Sequence, residues 1–147
     1  MTYEEFDQTM GAGWRALAKQ GDFAGAARAL EEYLAAHRDH LEDWQVRTLH
    51  HHAAQMHAYS GSDAGSYARA LAHLPFARIP DEPADSFFRW NAYVDATEAF
   101  LRGDRAAFDA ARAYIAAGPA DEKGWIPNLA VVDRLAANFG KPYSEAY

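Results

Sequence analysis

Four of the seven histidines stand in one run, Leu49-His-His-His-Ala-Ala-Gln-Met-His57. Imidazole is the side chain whose ordinary titration lies nearest neutral pH, so such a run could ligate a metal ion, relay a proton or simply hydrogen-bond. On a helix, at about 100° per residue, His50 and His57 fall within about 20° of each other, two turns apart. His51 shares a different stripe with Thr48, Gln55 and Tyr59, and His52 points about 100° further round. The run is therefore not one three-ligand face. A zinc site built on it would need a carboxylate from another helix, such as Asp95 or Asp133, and a catalytic site would leave a fourth position to water. His50, His51 and His57 are the metal candidates, but no HExxH motif demands an ion, and the expectation is no metal and no cofactor. His37 and His40, three apart, adjoin a helix boundary and read as solvated.

Other chemistry is sparse. The chain holds no GxSxG elbow, no phosphate loop and no dinucleotide fingerprint; GSDAGS at 61–66 lacks the lysine of a phosphate cradle. His51 with Asp95 can be drawn as an acid–base pair, but these residue types are too common for the drawing to count. DEPAD at 81–85 lacks calcium-loop spacing. The sequence leans away from catalysis, with no catalytic residue assigned.

The elements that must position these groups are helices. The 147 residues include 33 alanines against 10 glycines and 6 prolines, and alanine favours helix over strand. The length suits one domain over 1–147 with an aromatic-rich core. Glycine punctuates it: Gly21, Gly61, Gly103 and Gly140 follow amphipathic stretches at spacings of 40, 42 and 37 residues. A glycine past a helix end takes the left-handed backbone readily, and Asp22, Asp63 and Asp104 just beyond can cap the next helix. Asp39 with Glu42 predicts a capping box opening a helix over about 41–60. The three prolines of 74–86 predict a loop, then a helix to about Arg102 and a last full helix over about 128–139. The expectation is seven helices as three antiparallel hairpins and a cap, with KPYSEAY starting one further turn.

At Gly21 the run WRALAKQGDFAGAARALEEYL resembles a tetratricopeptide repeat. Trp14 and Leu17 lie seven and four residues before the glycine, and Ala26 and Leu30 five and nine after it. Around Gly61 the match is partial, through Ala54, Tyr67 and Ala70, with His57 where a large apolar residue is usual. Around Gly103 it rests on Ala96 and the Gly-Asp turn. The period is near 40 rather than 34, and the closing proline is missing. This resemblance implies a short right-handed superhelix whose first helices line a concave partner-binding surface. HHHAAQMHAYSG, WNAYVDATEAFLRGD and GKPYSEAY also resemble small bacterial helical-repeat proteins of uncharacterised activity.

Placed in register, the repeats put Thr48, His51, Gln55 and Tyr59 on one concave stripe. Trp90, Tyr93, Thr97 and Leu101 lie on a second, and Ala130, Arg134 and Asn138 on a third, with Asn91 and Asp95 alongside. Aromatic rings among amides and single charges suit a binding groove, so the function expected is a protein- or peptide-binding module, an adaptor or immunity-type inhibitor. The alternative is a small-molecule or metal pocket lined by His51, Trp90, Asn91, Asp95 and Arg134; a third is a homodimer capped by Tyr143 and Tyr147. A formal charge of −7 favours a basic partner and opposes nucleic acid. No apolar run approaches a membrane span, the start MTYEEFDQTM lacks signal-peptide layout, and with no cysteine a reducing cytoplasm is expected.

Overall fold

The computed structural model describes residues 1–147, and all of its regular structure is helical. Eight α-helices follow a π-type turn over Glu4–Gln8: α1 (Gly13–Lys19), α2 (Phe23–His37), α3 (Asp43–Ser60), α4 (Ala64–Ala77), α5 (Trp90–Arg102), α6 (Arg105–Ala116), α7 (Leu129–Ala137) and α8 (Tyr143–Ala146). A single 3₁₀ turn, Arg38–His40, joins α2 to α3. Contacts divide the chain into two compact units, Met1–Ala77 and Arg78–Tyr147. In the first, α2 packs on α1 and α3, and α3 on α4; in the second, α6 packs on α5 and α7. No helix is long and apolar enough to cross a membrane.

The Gly-Asp junctions behave as their chemistry dictates. Gly21 and Gly103 have φ of 82° and 70°. At each, two N–H groups fold back on the preceding helix: Gly21 to Ala18 and Asp22 to Leu17, then Gly103 to Phe100 and Asp104 to Ala99. The next helix then starts on a carboxylate, with Asp22 accepting from the Gly25 N–H at 2.8 Å and Asp104 from the Ala107 N–H at 3.0 Å. Asp63 does the same for Ser66 at 2.9 Å. Ala26, Ala54, Ala70 and Ala96 are buried, as small residues between close helices should be.

Four local expectations are corrected. The stretch before Gly21 is not one helix: it breaks over 9–12, because Gly13 has φ of 50° and sits so near Phe6 that a Cβ would lie 2.2 Å from the Phe6 carbonyl oxygen. Gly61 is extended, with φ of 178°, so the α3–α4 junction is not a left-handed turn. The capping box opening α3 is formed by Glu42 and Gln45, not Asp39 and Glu42; the Gln45 side chain accepts the Glu42 N–H at 2.8 Å. Finally, α4 runs through Pro75 to Ala77, and α5 begins only at Trp90 after a left-handed Arg89 with φ of 44°. A proline removes one helical hydrogen bond but need not stop a helix within its last turn.

The second unit's core is aromatic and aliphatic. Phe108 is fully buried, with Phe139 at 5.3 Å and Phe100 at 6.4 Å between ring centroids, and Tyr143 stands 5.9 Å from Phe100. Tyr143 is thus part of its own unit's core rather than an exposed cap for another chain, whereas Tyr147 is partly exposed.

Candidate functional site

In the first unit the histidines of α3 are divided between two polar clusters. One centres on Asp7, a fully buried carboxylate in the π-type turn. It accepts from Trp14 Nε1–H at 2.9 Å and Tyr3 O–H at 3.0 Å, stands 2.7 Å from His52 Nδ1, and also meets the Gln8 amide. Burial alone would raise the Asp7 carboxyl, but the bond from His52, followed by those from Trp14 and Tyr3, holds it below the ordinary carboxylate range. Burial, reinforced by that carboxylate, pushes the Tyr3 phenol up to about 12. With its carboxylate fully enclosed, this cluster fastens the turn to α1 and α3.

The second cluster lies where α2, α3 and α4 meet. Glu31 Oε1 stands 2.7 Å from His57 Nε2 and 3.0 Å from His73 Nε2. Behind His73, its Nδ1 lies 2.9 Å from His50 Nδ1, so one of these two nitrogens carries the proton and the other accepts it. The His57 and His73 rings stack at 5.6 Å, and His50 stacks on the exposed Phe76 at 5.0 Å. Burial opposes ionisation of Glu31, yet the bonds from His57 and His73 prevail and lower its carboxyl. Burial, with His73 and Arg38 nearby, pushes His50 down to about 4. Side-chain exposure runs from 7% at His57 and 15% at His73 to 41% at Glu31, so the cluster opens to solvent at the carboxylate.

The stripe expected to be displayed is in large part enclosed. His51, Gln55, Tyr93 and Thr97 are buried, and burial pushes His51 down to about 3. A helix tolerates Thr97 there because its hydroxyl donates to the Tyr93 carbonyl one turn back. Thr48 bonds the Trp44 carbonyl in the same way, and Tyr59 stacks on Phe23 at 5.1 Å. Asn91 is a clamp on Ile79, accepting its N–H at 2.7 Å and donating to its carbonyl at 2.8 Å. Asp95 pairs with Arg78, and Asp133 with Arg112. Trp90 meets Tyr93 edge to face at 5.8 Å, Arg134 lies over Tyr147, and Asn138 bonds the Arg134 carbonyl. Of the candidate metal ligands, His57 belongs to a cluster with ligand spacing, but its companions are Glu31 and His73. Neither carries a motif in the sequence: His73 stands alone in ARALAHLPFA and Glu31 is one of two adjacent glutamates.

The second unit offers two surface features. A cavity of about 420 Å³ lies between α5 and α6, with alanines 99, 107, 110 and 111 among its lining and Asp95, Glu98 and Asp104 as its acids. Separately, Phe87, Phe88 and Trp125 are exposed by 39%, 54% and 52%, with Phe87 5.4 Å from Phe88 and 6.4 Å from Trp125 between centroids. Their loops are tied down. Asp121 exchanges two bonds with Trp125, its N–H to the Trp125 carbonyl at 2.9 Å and its carboxylate from the Trp125 N–H at 2.8 Å. Arg89 donates to the Tyr114 carbonyl at 2.6 Å while its guanidinium covers the Tyr114 ring.

Together these features define an all-helical chain with a buried acid–imidazole core in one unit and an exposed aromatic surface in the other. Set against protein-family models, curated proteins and solved structures, the chain gives no match.

Proposed function

We propose that the protein is a binding module that receives a basic, partly apolar segment of a partner protein on its second unit. The observation that carries this is a row of exposed aromatic rings, Phe87 beside both Phe88 and Trp125, on loops held by Asp121 and Arg89. Exposed aromatics in mutual contact leave apolar surface in water, and aromatic anchors dominate binding energy at many protein interfaces. Rings on tethered loops lose little freedom on binding, so more of the contact energy is kept. The same two loops carry Asp81, Glu82, Asp85, Asp121 and Glu122 against Arg78, Arg89 and Lys123, an acidic balance that favours a basic segment and speeds its approach. On this proposal the hairpins are scaffolding and the contact lies on the loops, rather than along the Trp90–Tyr93 stripe that a tetratricopeptide-like groove would use.

Selection of a displayed random-peptide library on the immobilised full chain tests this. Enrichment of lysine- or arginine-bearing apolar peptides is expected, with affinity falling about thirtyfold in Trp125→Ala, the size of a hot-spot residue. Phe88→Ala should lose somewhat less, with helicity unchanged in both. Peptides that bind Trp125→Ala and Phe88→Ala as well as the parent chain would overturn the assignment.

A further inference from the structure

We propose that Glu31, His57 and His73 bind a divalent transition-metal ion of the zinc class, with His50 orienting His73 from behind. Three helices each deliver one ligand: Glu31 from α2, His57 from α3 and His73 from α4. Their ligand atoms all lie within 4.8 Å of one another, and both imidazole Nε2 atoms already converge on the same carboxylate oxygen at 2.7 and 3.0 Å. A tetrahedral zinc ion with bonds of about 2.0–2.1 Å needs ligand atoms roughly 3.3 Å apart, so the carboxylate oxygen must draw back from the two imidazoles by about 0.6 and 0.3 Å. Glu31, with 41% of its side chain exposed, is free to make that shift.

Proton placement supports the same assignment. Around a carboxylate alone, His57 and His73 present Nε2–H as donors; around a cation each must present an Nε2 lone pair and carry its proton on Nδ1. For His73 that proton has an acceptor in place, the Nδ1 of His50 at 2.9 Å. Ligand imidazoles characteristically donate their second N–H to such a partner, which fixes tautomer and ring direction. The contact between His50 and His73 therefore serves in both states: without the ion His50 donates from Nδ1, and with it His73 donates, its Nε2 proton having left to solvent while His50 takes one at Nε2. Two imidazoles and one carboxylate leave the fourth position to water on the side where Glu31 meets solvent. The nitrogen-rich set discriminates against magnesium and calcium, which prefer oxygen ligands.

The test uses the full chain without a histidine tag, stripped with chelator and titrated with cobalt(II), then with zinc. One cobalt per chain with intense tetrahedral visible absorption, displaced by zinc and unaffected by millimolar magnesium, is the expected result. Glu31→Gln and His73→Gln should each weaken zinc binding at least tenfold while circular dichroism stays helical. His50→Phe should weaken it by roughly ten- to a hundredfold through the lost orienting bond. His57 is the most enclosed of the ligands, so the partly exposed Glu31 and His73 provide the deciding variants. No saturable binding below about 100 µM, or stoichiometric binding retained by the Glu31→Gln, His73→Gln double variant, would overturn the proposal.

Discussion

The two units fill their interiors with different chemistry. The first buries Asp7, His51, Gln55, His57 and Ser66, whereas the second buries Thr97 alone among polar residues and satisfies that hydroxyl within its own helix. The second relies on Phe100, Phe108, Val132, Leu135 and Tyr143 instead. Buried polar groups need specific partners, and losing one leaves the others unsatisfied; a buried ring needs only volume filled around it. The interior of the first unit is therefore specified by hydrogen bonds among titratable groups, and that of the second by shape. Both units display aromatic rings to water, Trp44 and Phe76 in the first and Phe87, Phe88 and Trp125 in the second, but only in the second are such rings gathered on neighbouring loops.

The comparison breaks most readily at one residue in each core. Asp7→Ala strands the Trp14 N–H, the Tyr3 hydroxyl and the His52 ring, and a loss of about 3–5 kcal/mol is expected. Phe108→Ala should cost a similar 3–5 kcal/mol by leaving a cavity. Hydrogen exchange resolved along the chain should locate the first loss in Met1–Ala77 and the second in Arg78–Tyr147. Equal deprotection of both units by Asp7→Ala would remove the distinction.

Acid comes next in size. Asp7 is held below its ordinary range in the folded state, so the unfolded chain binds a proton more readily. The stability from Asp7 is present above about pH 4 and is lost as pH falls through the lowered folded value. His51, pushed down to about 3, works in the same direction: its contribution is full above about pH 6.5 and shrinks below it, by at most about 1.4 kcal/mol per pH unit. Between pH 7 and pH 4, exchange protection should therefore fall earlier over α1 to α3 than over α5 to α7. A uniform decline along the chain would count against this difference in their interiors.

The smallest effect concerns a feature that the units share. Asp22→Ala and Asp104→Ala each remove one helix cap and should each cost about 1 kcal/mol in urea unfolding. Matching values would show that the units differ in their cores and not in how their turns are made; a gap of more than about 1 kcal/mol would show that the caps also depend on context.

What was legible in the sequence follows the reach of each interaction. The helices, the Gly-Asp turns and the three aspartate caps act over a few residues, so Gly21, Asp22, Gly103 and Asp104 declare themselves by type and spacing. The clusters do not, because they join distant segments: Asp7 meets His52 across 45 residues, and Glu31 meets His73 across 42. Asp7 was one acid in a short acidic start, and His57 an odd polar residue where an apolar one was expected. Helix periodicity did separate His50 from His51, but it could not tell which neighbouring helix each would face. Phe87, Phe88 and Trp125 carry no such signal, because they lie in loops, where no period governs them.

The bond between Asp7 and His52 also imposes an order of assembly. Most helix contacts in the first unit join neighbours in the chain, and contacts of that kind form quickly because little chain entropy is lost in closing them. Asp7 can surrender its water only when Trp14 and His52 are both in place to replace it, so Glu4–Gln8 can bury its carboxylate no earlier than α1 and α3 are brought together. The turn carrying this fully buried carboxylate thus docks onto helices already in place and not ahead of them.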